Sequence, residues 1–218
     1  MRTHPVFLCL EGRSCVAVGG DQAIEAKVRA CLLAGASVTV IAEDPTRTLR
    51  ELAATGAIRW EAREHTVGDL HGALLAYASV RDPERIRALR EEAARERVLL
   101  NVIDVPAACD FLAPAVLARG ELQVAVGTGG ASPALAARLR NEIAQHVGPE
   151  YGALVAILGG VRRALPVGRD RAAVLAALLD SPLLELLRGG DRGAIDRLLT
   201  GIGGDGCTLE RLGVEGSA

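Results

Sequence analysis

Short continuous apolar runs alternating with helix-patterned segments predict an α/β fold. The expected form is a Rossmann-like doubly wound parallel sheet, followed by a small α+β segment and a C-terminal helical domain. Three observations carry this. Residues 15–42 read strand, glycine turn, helix, glycine, strand, which is a βαβ unit. The alternation then repeats with continuous apolar strands, as in a parallel sheet covered on both faces. After Pro114 the pattern changes, and from Gly152 onward only helical segments remain.

The elements follow in order. Cys15 to Val18 is the first strand, broken by Gly19-Gly20. Gln22 to Leu33 fits a helix with Ala23, Val28, Cys31 and Leu32 available for a buried face, closed by a left-handed Gly35. Val38 to Ala42 is the second strand and Thr46 to Ala54 the next helix. Ile58 to Glu61 and Ala73 to Ala78 are strands. Asp82-Pro83 starts a helix to about Glu96, charged on one side, and Val98 to Ile103 is another buried strand. Beyond Pro114, Leu122 to Val126 is a strand, Thr128-Gly129-Gly130 a turn, and Ser132-Pro133 opens a helix to about His146. Helices are expected over Leu154–Leu165, Arg171–Leu179, Pro182–Leu187 and Ala194–Leu199, with a loose glycine-rich tail from Gly201. The expected regions are residues 1–113, 114–149 and 150–218.

Composition narrows the function classes. The 218 residues are 50% hydrophobic, with one Trp, two Tyr and two Phe, so aliphatic packing must dominate the core. A net charge of −2 argues against nucleic acid or an anionic membrane as partner. Lys27 is the only Lys; GC-rich coding accounts for that bias. Cys9, Cys15, Cys31, Cys109 and Cys207 show neither CxxC nor metal-ligand spacing, and their odd number fits a reducing compartment. The four His are scattered, most of them expected at the surface, and no metal site is expected. Glu11, Arg13 and Asp21 interrupt any leader-like apolar run and no membrane-length run occurs, so the expected location is cytoplasmic.

The turn after the first strand is the place for a dinucleotide. There a strand-turn-helix start directs backbone N–H groups and the positive helix end at one spot, which suits a pyrophosphate. The fingerprint GxGxxG/A wants small residues at its third and sixth positions. Here Gly19-Gly20-Asp21-Gln22-Ala23-Ile24 keeps the first glycine, with Asp21 and Ile24 at the other two places. Glu43 and Asp44 follow the second strand at the distance expected for a ribose contact. An ordinary tight turn without a dinucleotide fits these residues equally well.

Several segments together resemble the bifunctional precorrin-2 dehydrogenase / sirohydrochlorin ferrochelatase family, which includes the N-terminal module of siroheme synthase. They are Pro5-Val6-Phe7-Leu8 with Gly12-Arg13, Cys15 to Gly20, Lys27, Gly35-Ala36 and Val38-Thr39-Val40. More specific are Asn101-Val102-Ile103-Asp104, Cys109-Asp110-Phe111 with Pro114, and Gly127 to Ala136 with Arg138-Leu139-Arg140. Cys207-Thr208-Leu209-Glu210 closes the match. The resemblance implies a Rossmann domain, a dimerisation segment and a helical domain, an intertwined homodimer, and NAD-dependent oxidation of precorrin-2 to sirohydrochlorin. Iron insertion by the same site occurs in some members.

The resemblance places the family's shared catalytic Asp at Asp104, where a carboxylate in reach takes a proton. Otherwise Asp104 caps a turn before Pro106. The implied NAD contacts are Gly19, Gly20, Asp21, Gln22, Ala23, Glu43, Asp44 and Ser79. The implied contacts to the tetrapyrrole are Asn101, Thr128, Gly129, Gly130 and Ser132. Arg138 and Arg140 either meet its carboxylates or are solvated. The departures cluster at the cofactor: Asp21, Ile24, and Ala78-Ser79-Val80-Arg81-Asp82 where the family has an Ala-Thr-Asp-Asp type of turn. They point to weakened or lost NAD binding. The alternative is therefore a metal chelatase or tetrapyrrole-binding homologue without redox activity.

Overall fold

The computed structural model describes residues 2–165 and 170–214. The chain divides into two compact units, Met1–Ala113 and Pro114–Ala218.

The first unit holds strands β1 (Ser14–Val18), β2 (Ser37–Ile41), β3 (Arg59–Glu61), β4 (Leu75–Ala78) and β5 (Leu99–Val102). They form one parallel sheet in the order β3-β2-β1-β4-β5. This is the doubly wound arrangement expected from the alternation. Side-chain alternation along β1 explains the two cores. Cys15 and Ala17 face a layer with Val38, Val40 and Leu75, covered by helix α1 (Gln22–Leu33) and helix α2 (Arg47–Ala54). Val16 and Val18 face the opposite layer with Ala76, Ala78, Leu100 and Val102, covered by Leu89 and Ala93 of helix α3 (Pro83–Glu96).

The helix starts are set by local chemistry. Asp21, Thr46 and Asp82 each accept a hydrogen bond from the backbone N–H three residues on. Gly35, at φ +77, ends α1 as expected.

The second unit opens with an antiparallel hairpin, β6 (Ala115–Arg119) and β7 (Leu122–Val126). Strand β6 was not legible in the sequence. Gly120, at φ +57, takes the first position of its two-residue turn. Helix α4 (Pro133–His146) follows, then α5 (Glu150–Ala164), α6 (Arg171–Leu179), α7 (Leu183–Gly189) and α8 (Arg192–Gly203) around a core centred on Ile157, Leu178, Leu183 and Leu199. The last residue of the expected helix 154–165, Leu165, is the C-cap of α5, which starts four residues earlier at Glu150. The loose tail is corrected as far as Val214: Cys207, Leu209 and Leu212 are buried in this core. Their apolar spacing, not the glycine content, decides that segment. Residues 215–218 of that tail lie outside the described residues.

Candidate active site

Parallel strands end together, and here their ends are zipped. Gly19 N–H donates to Ile41 O (2.9 Å), Ser79 N–H to Val18 O (2.8 Å) and Ile103 N–H to Ala78 O (2.8 Å). Gly19, Ser79 and Ile103 therefore stand abreast at the carboxyl edge of the sheet. Strand order reverses between β1 and β4, and such a crevice is where open α/β sheets hold ligands.

Two cavities flank this point. One, of about 310 Å³, is bounded by Gly19, Gly20, Glu43, Asp44 and Ser79. The other, of about 560 Å³, is bounded by Asp21, Gln22, Ala23, Ser79 and Asp104. Ser79, Val80 and Arg81 line both. All eight residues expected at the cofactor thus lie on this crevice, together with Asp104.

Their present engagements differ. Gly19 has φ +114, and a Cβ there would stand 3.2 Å from both Cβ and O of Ser79. Gly20 is required by packing: a Cβ would come within 2.6 Å of Pro45 Cα. Asp44 pairs with Arg50, whereas Glu43 makes no hydrogen bond or ion pair among the described residues and is exposed. Asp21 caps α1 through Oδ1, accepting from Ile24 N–H at 2.9 Å, while Oδ2 accepts from Ser79 Oγ. Ile24 is fully buried in the core on the α1 side of the sheet. Val80 is buried in the α3-side core. Arg81, which the sequence reading passed over, is exposed and makes no hydrogen bond or ion pair among the described residues.

Asp104 follows β5 in a turn closed by Val105 N–H to Val102 O at 3.1 Å. Its φ is +62, a region that favours glycine and that Asp enters at less cost than most side chains. The carboxylate is exposed and makes no hydrogen bond or ion pair among the described residues. Its neighbours hold the loop. Asp110 accepts from Leu100 N–H (3.0 Å) and pairs with Arg90 (3.1 Å). Cys109 Sγ donates to the Val102 carbonyl (3.2 Å), and burial pushes its thiol up.

Asn101 has a structural engagement. It is 7% exposed, and its amide donates to Phe111 O at 2.8 Å, so it secures the loop from inside. Phe111 packs edge-on against Tyr77, with ring centroids 5.4 Å apart, and Lys27 Nζ lies 5.9 Å from the Tyr77 centroid. Burial raises the Tyr77 hydroxyl above its ordinary range.

In the second unit, Thr128 Oγ1 accepts from Ser132 N–H (3.1 Å) and Ser132 Oγ accepts from Leu135 N–H (3.2 Å). Gly129 and Gly130 have φ +61 and +82. These residues build a rigid helix entry. Arg138 pairs with Glu142 (2.8 Å), while Arg140 Nε is buried without a hydrogen-bond partner.

His4, His71 and His146 are exposed, as expected of most of the His, whereas His65 is enclosed against Glu92. Among the described residues, no His, Cys, Asp and Glu group has the geometry to hold a metal, and no helix is long and apolar enough to cross a membrane.

Residues 6–115 match the NAD(P)-binding family model, and residues 119–146 match the model for the sirohaem biosynthesis protein central region. The chain belongs to this NAD(P)-binding family. Within it, the siroheme synthase of Methylobacillus flagellatus is 38% identical over 165 residues, covering 76% of this chain and 35% of that protein. The siroheme synthase of Methylococcus capsulatus is 36% identical over 199 residues, covering 89% and 42%. The chain thus spans less than half the length of either relative. The solved structure of SirC, precorrin-2 dehydrogenase, superposes with a TM-score of 0.73 at 22% identity, covering 89% of this chain and 100% of that one. That likeness establishes a shared fold.

Proposed function

We propose that the chain is a precorrin-2 dehydrogenase that uses NAD, with Asp104 as the proton acceptor. The observation that carries this is Asp104 itself: a bare, exposed carboxylate held at positive φ on a cavity that also reaches Asp21 and the first turn of α1. Strain of this kind persists where the surrounding structure enforces it, and it clusters at working sites.

The crevice fits a dinucleotide at its two ends. Cavities lie on both sides of the turn, and the unengaged Glu43 stands at the end of β2, where a ribose hydroxyl is read. The fit is tight in the middle, where the Asp21 carboxylate lies. NAD, when bound, supplies the hydride acceptor. Gly19, Gly20 and the first turn of α1 would hold its diphosphate, Glu43 its ribose, and Ser79 would stand beside the crossing.

The protein's own part is proton removal and positioning. A carboxylate within hydrogen-bond reach of the macrocycle takes the proton that leaves as hydride is lost. The same group is the candidate for deprotonating pyrrole nitrogens if iron is inserted as a second substrate. Arg140, whose Nε lacks a partner, and the Gly129-Gly130 turn are the candidates in the second unit for the substrate's carboxylates.

A homodimer belongs to the same reading. Val116, Leu135 and Leu139 are 42%, 47% and 38% exposed on the hairpin and α4, where a two-stranded sheet alone is marginal. A second copy would cover them. The odd number of cysteines, without CxxC spacing, favours a reducing cytoplasmic setting.

The test is calorimetric titration with NAD, then absorbance-monitored oxidation of precorrin-2. Micromolar-range binding with turnover supports the dehydrogenase. Absence of NAD binding with retained iron insertion would transfer the assignment to a chelatase.

A further inference from the structure

The residue at the third place of the glycine fingerprint is where backbone normally approaches a pyrophosphate. In this chain that place holds a carboxylate with two protein partners. Oδ1 takes the Ile24 N–H, one of the helix-start donors that an anion would otherwise use. Oδ2 takes the Ser79 hydroxyl from the end of β4. The side chain therefore ties α1 to β4 across the point where strand order reverses. A ligand running between the cavities must pass Ser79, which lines both.

We propose that the Asp21–Ser79 contact is a charged latch standing in the place of a diphosphate, and that it sets this chain's affinity for diphosphate-bridged dinucleotides. The inference rests on the NAD reading above. Two like-charged groups in one crevice repel, and a ligand's diphosphate must either displace the Asp21 carboxylate or bind beside it. Arg81 supplies the opposing attraction. Arg81 borders both cavities, is exposed and makes no hydrogen bond or ion pair among the described residues, so its charge remains available to the diphosphate once the latch opens.

The latch is tested on the full chain by calorimetric titration with NAD, with ADP-ribose, and with adenosine as the ligand lacking a diphosphate. Asp21→Asn removes the charge and turns the Ser79-facing acceptor into a donor, and Asn caps helices as well as Asp does, so α1 is kept. NAD and ADP-ribose should bind about tenfold tighter to Asp21→Asn, and adenosine should bind unchanged. Ser79→Ala should act in the same direction by a smaller factor, because it frees the carboxylate to turn away.

Equal or weaker NAD binding by Asp21→Asn overturns the latch and leaves the NAD reading standing. Binding by the variant and not by the parent chain supports the latch outright. If neither protein binds NAD or ADP-ribose, both the latch and the NAD reading fall. A tightening shared by adenosine overturns the latch, because the effect is then not on the diphosphate.

Discussion

The connection between β3 and β4 and the loop leaving β5 treat their carboxylates in opposite ways. In the first, Glu92 reaches in from α3, fully buried. It accepts from Gly68 N–H (2.8 Å) and Leu70 N–H (2.9 Å) and lies 2.8 Å from His65 Nε2. Asp69 takes both Arg63 nitrogens at 2.7 Å and the Thr66 N–H as well. In the second loop, Asp110 is engaged in the same manner, but Asp104 is left bare and at positive φ. Buried polar groups of a segment without regular structure need partners, and Glu92 and Asp69 supply them to the Gly68, Leu70 and Thr66 N–H groups of the first loop. A carboxylate left unsatisfied while its neighbours do the holding is free for a ligand.

The contrast can be broken by exchanging the expected effects. Asp104→Asn should lower precorrin-2 turnover by roughly 100-fold to 10,000-fold, the usual worth of a positioned proton acceptor. The midpoint of urea unfolding should hardly move. Normal turnover would remove Asp104 from the chemistry and leave only its turn. Glu92→Ala should do the reverse. It strands two backbone donors and His65, and should cost about 3 kcal/mol of stability. Activity per folded molecule should persist. A loss of turnover larger than the loss of folded protein would show that the two loops are coupled, and the contrast would fail.

How much of this was legible in the sequence depends on the distance over which each feature is decided. Helix α1 was read to the residue, because Asp21 and Gly35 mark its ends within the chain itself. Strands β1, β2, β4 and β5 were found from their apolar runs, which the two-sided burial of a parallel sheet requires. Strand β6 was missed although Ala115 to Ala118 is a short apolar run: it buries only Leu117, and what makes it a strand is its pairing with β7. The Glu92 network was invisible: its partners lie 22, 24 and 27 positions away, and Glu92 reads as one more charge on a charged helix. At the site, position Asp104 came from family resemblance alone, and its backbone conformation left no mark in the sequence. Asp21 was visible as a departure, but its partner Ser79 is 58 positions on, so the contact needed the structure.

A smaller effect sharpens the contrast through pH. Bidentate pairing with Arg63 holds the Asp69 carboxyl down at about 2. A carboxyl lowered in the folded state stabilises above its unfolded value near 4, and that contribution is lost as pH falls toward 2. With Arg63 partly exposed, the contribution is about 1 kcal/mol after allowance for screening. Parent chain and Asp69→Asn should therefore differ in urea stability at pH 6 and converge near pH 2. A difference independent of pH would mean that geometry, not charge, carries the role of Asp69.

The smallest expected effect bears most directly on why Asp104 is bare. Its positive φ is a conformation that glycine adopts without steric cost, whereas glycine raises the entropy of the unfolded chain. The two terms oppose, and relief of strain should win by about 0.5 kcal/mol, because the carboxylate makes no contact whose loss would be felt. Asp104→Gly should therefore unfold at slightly higher urea than the parent chain while losing its turnover. Stability gained where activity is lost identifies a residue kept against the interest of the fold. If the variant is instead less stable, the Asp104 carboxylate is supporting the loop after all, and it joins Glu92 and Asp69 among the groups that the fold requires.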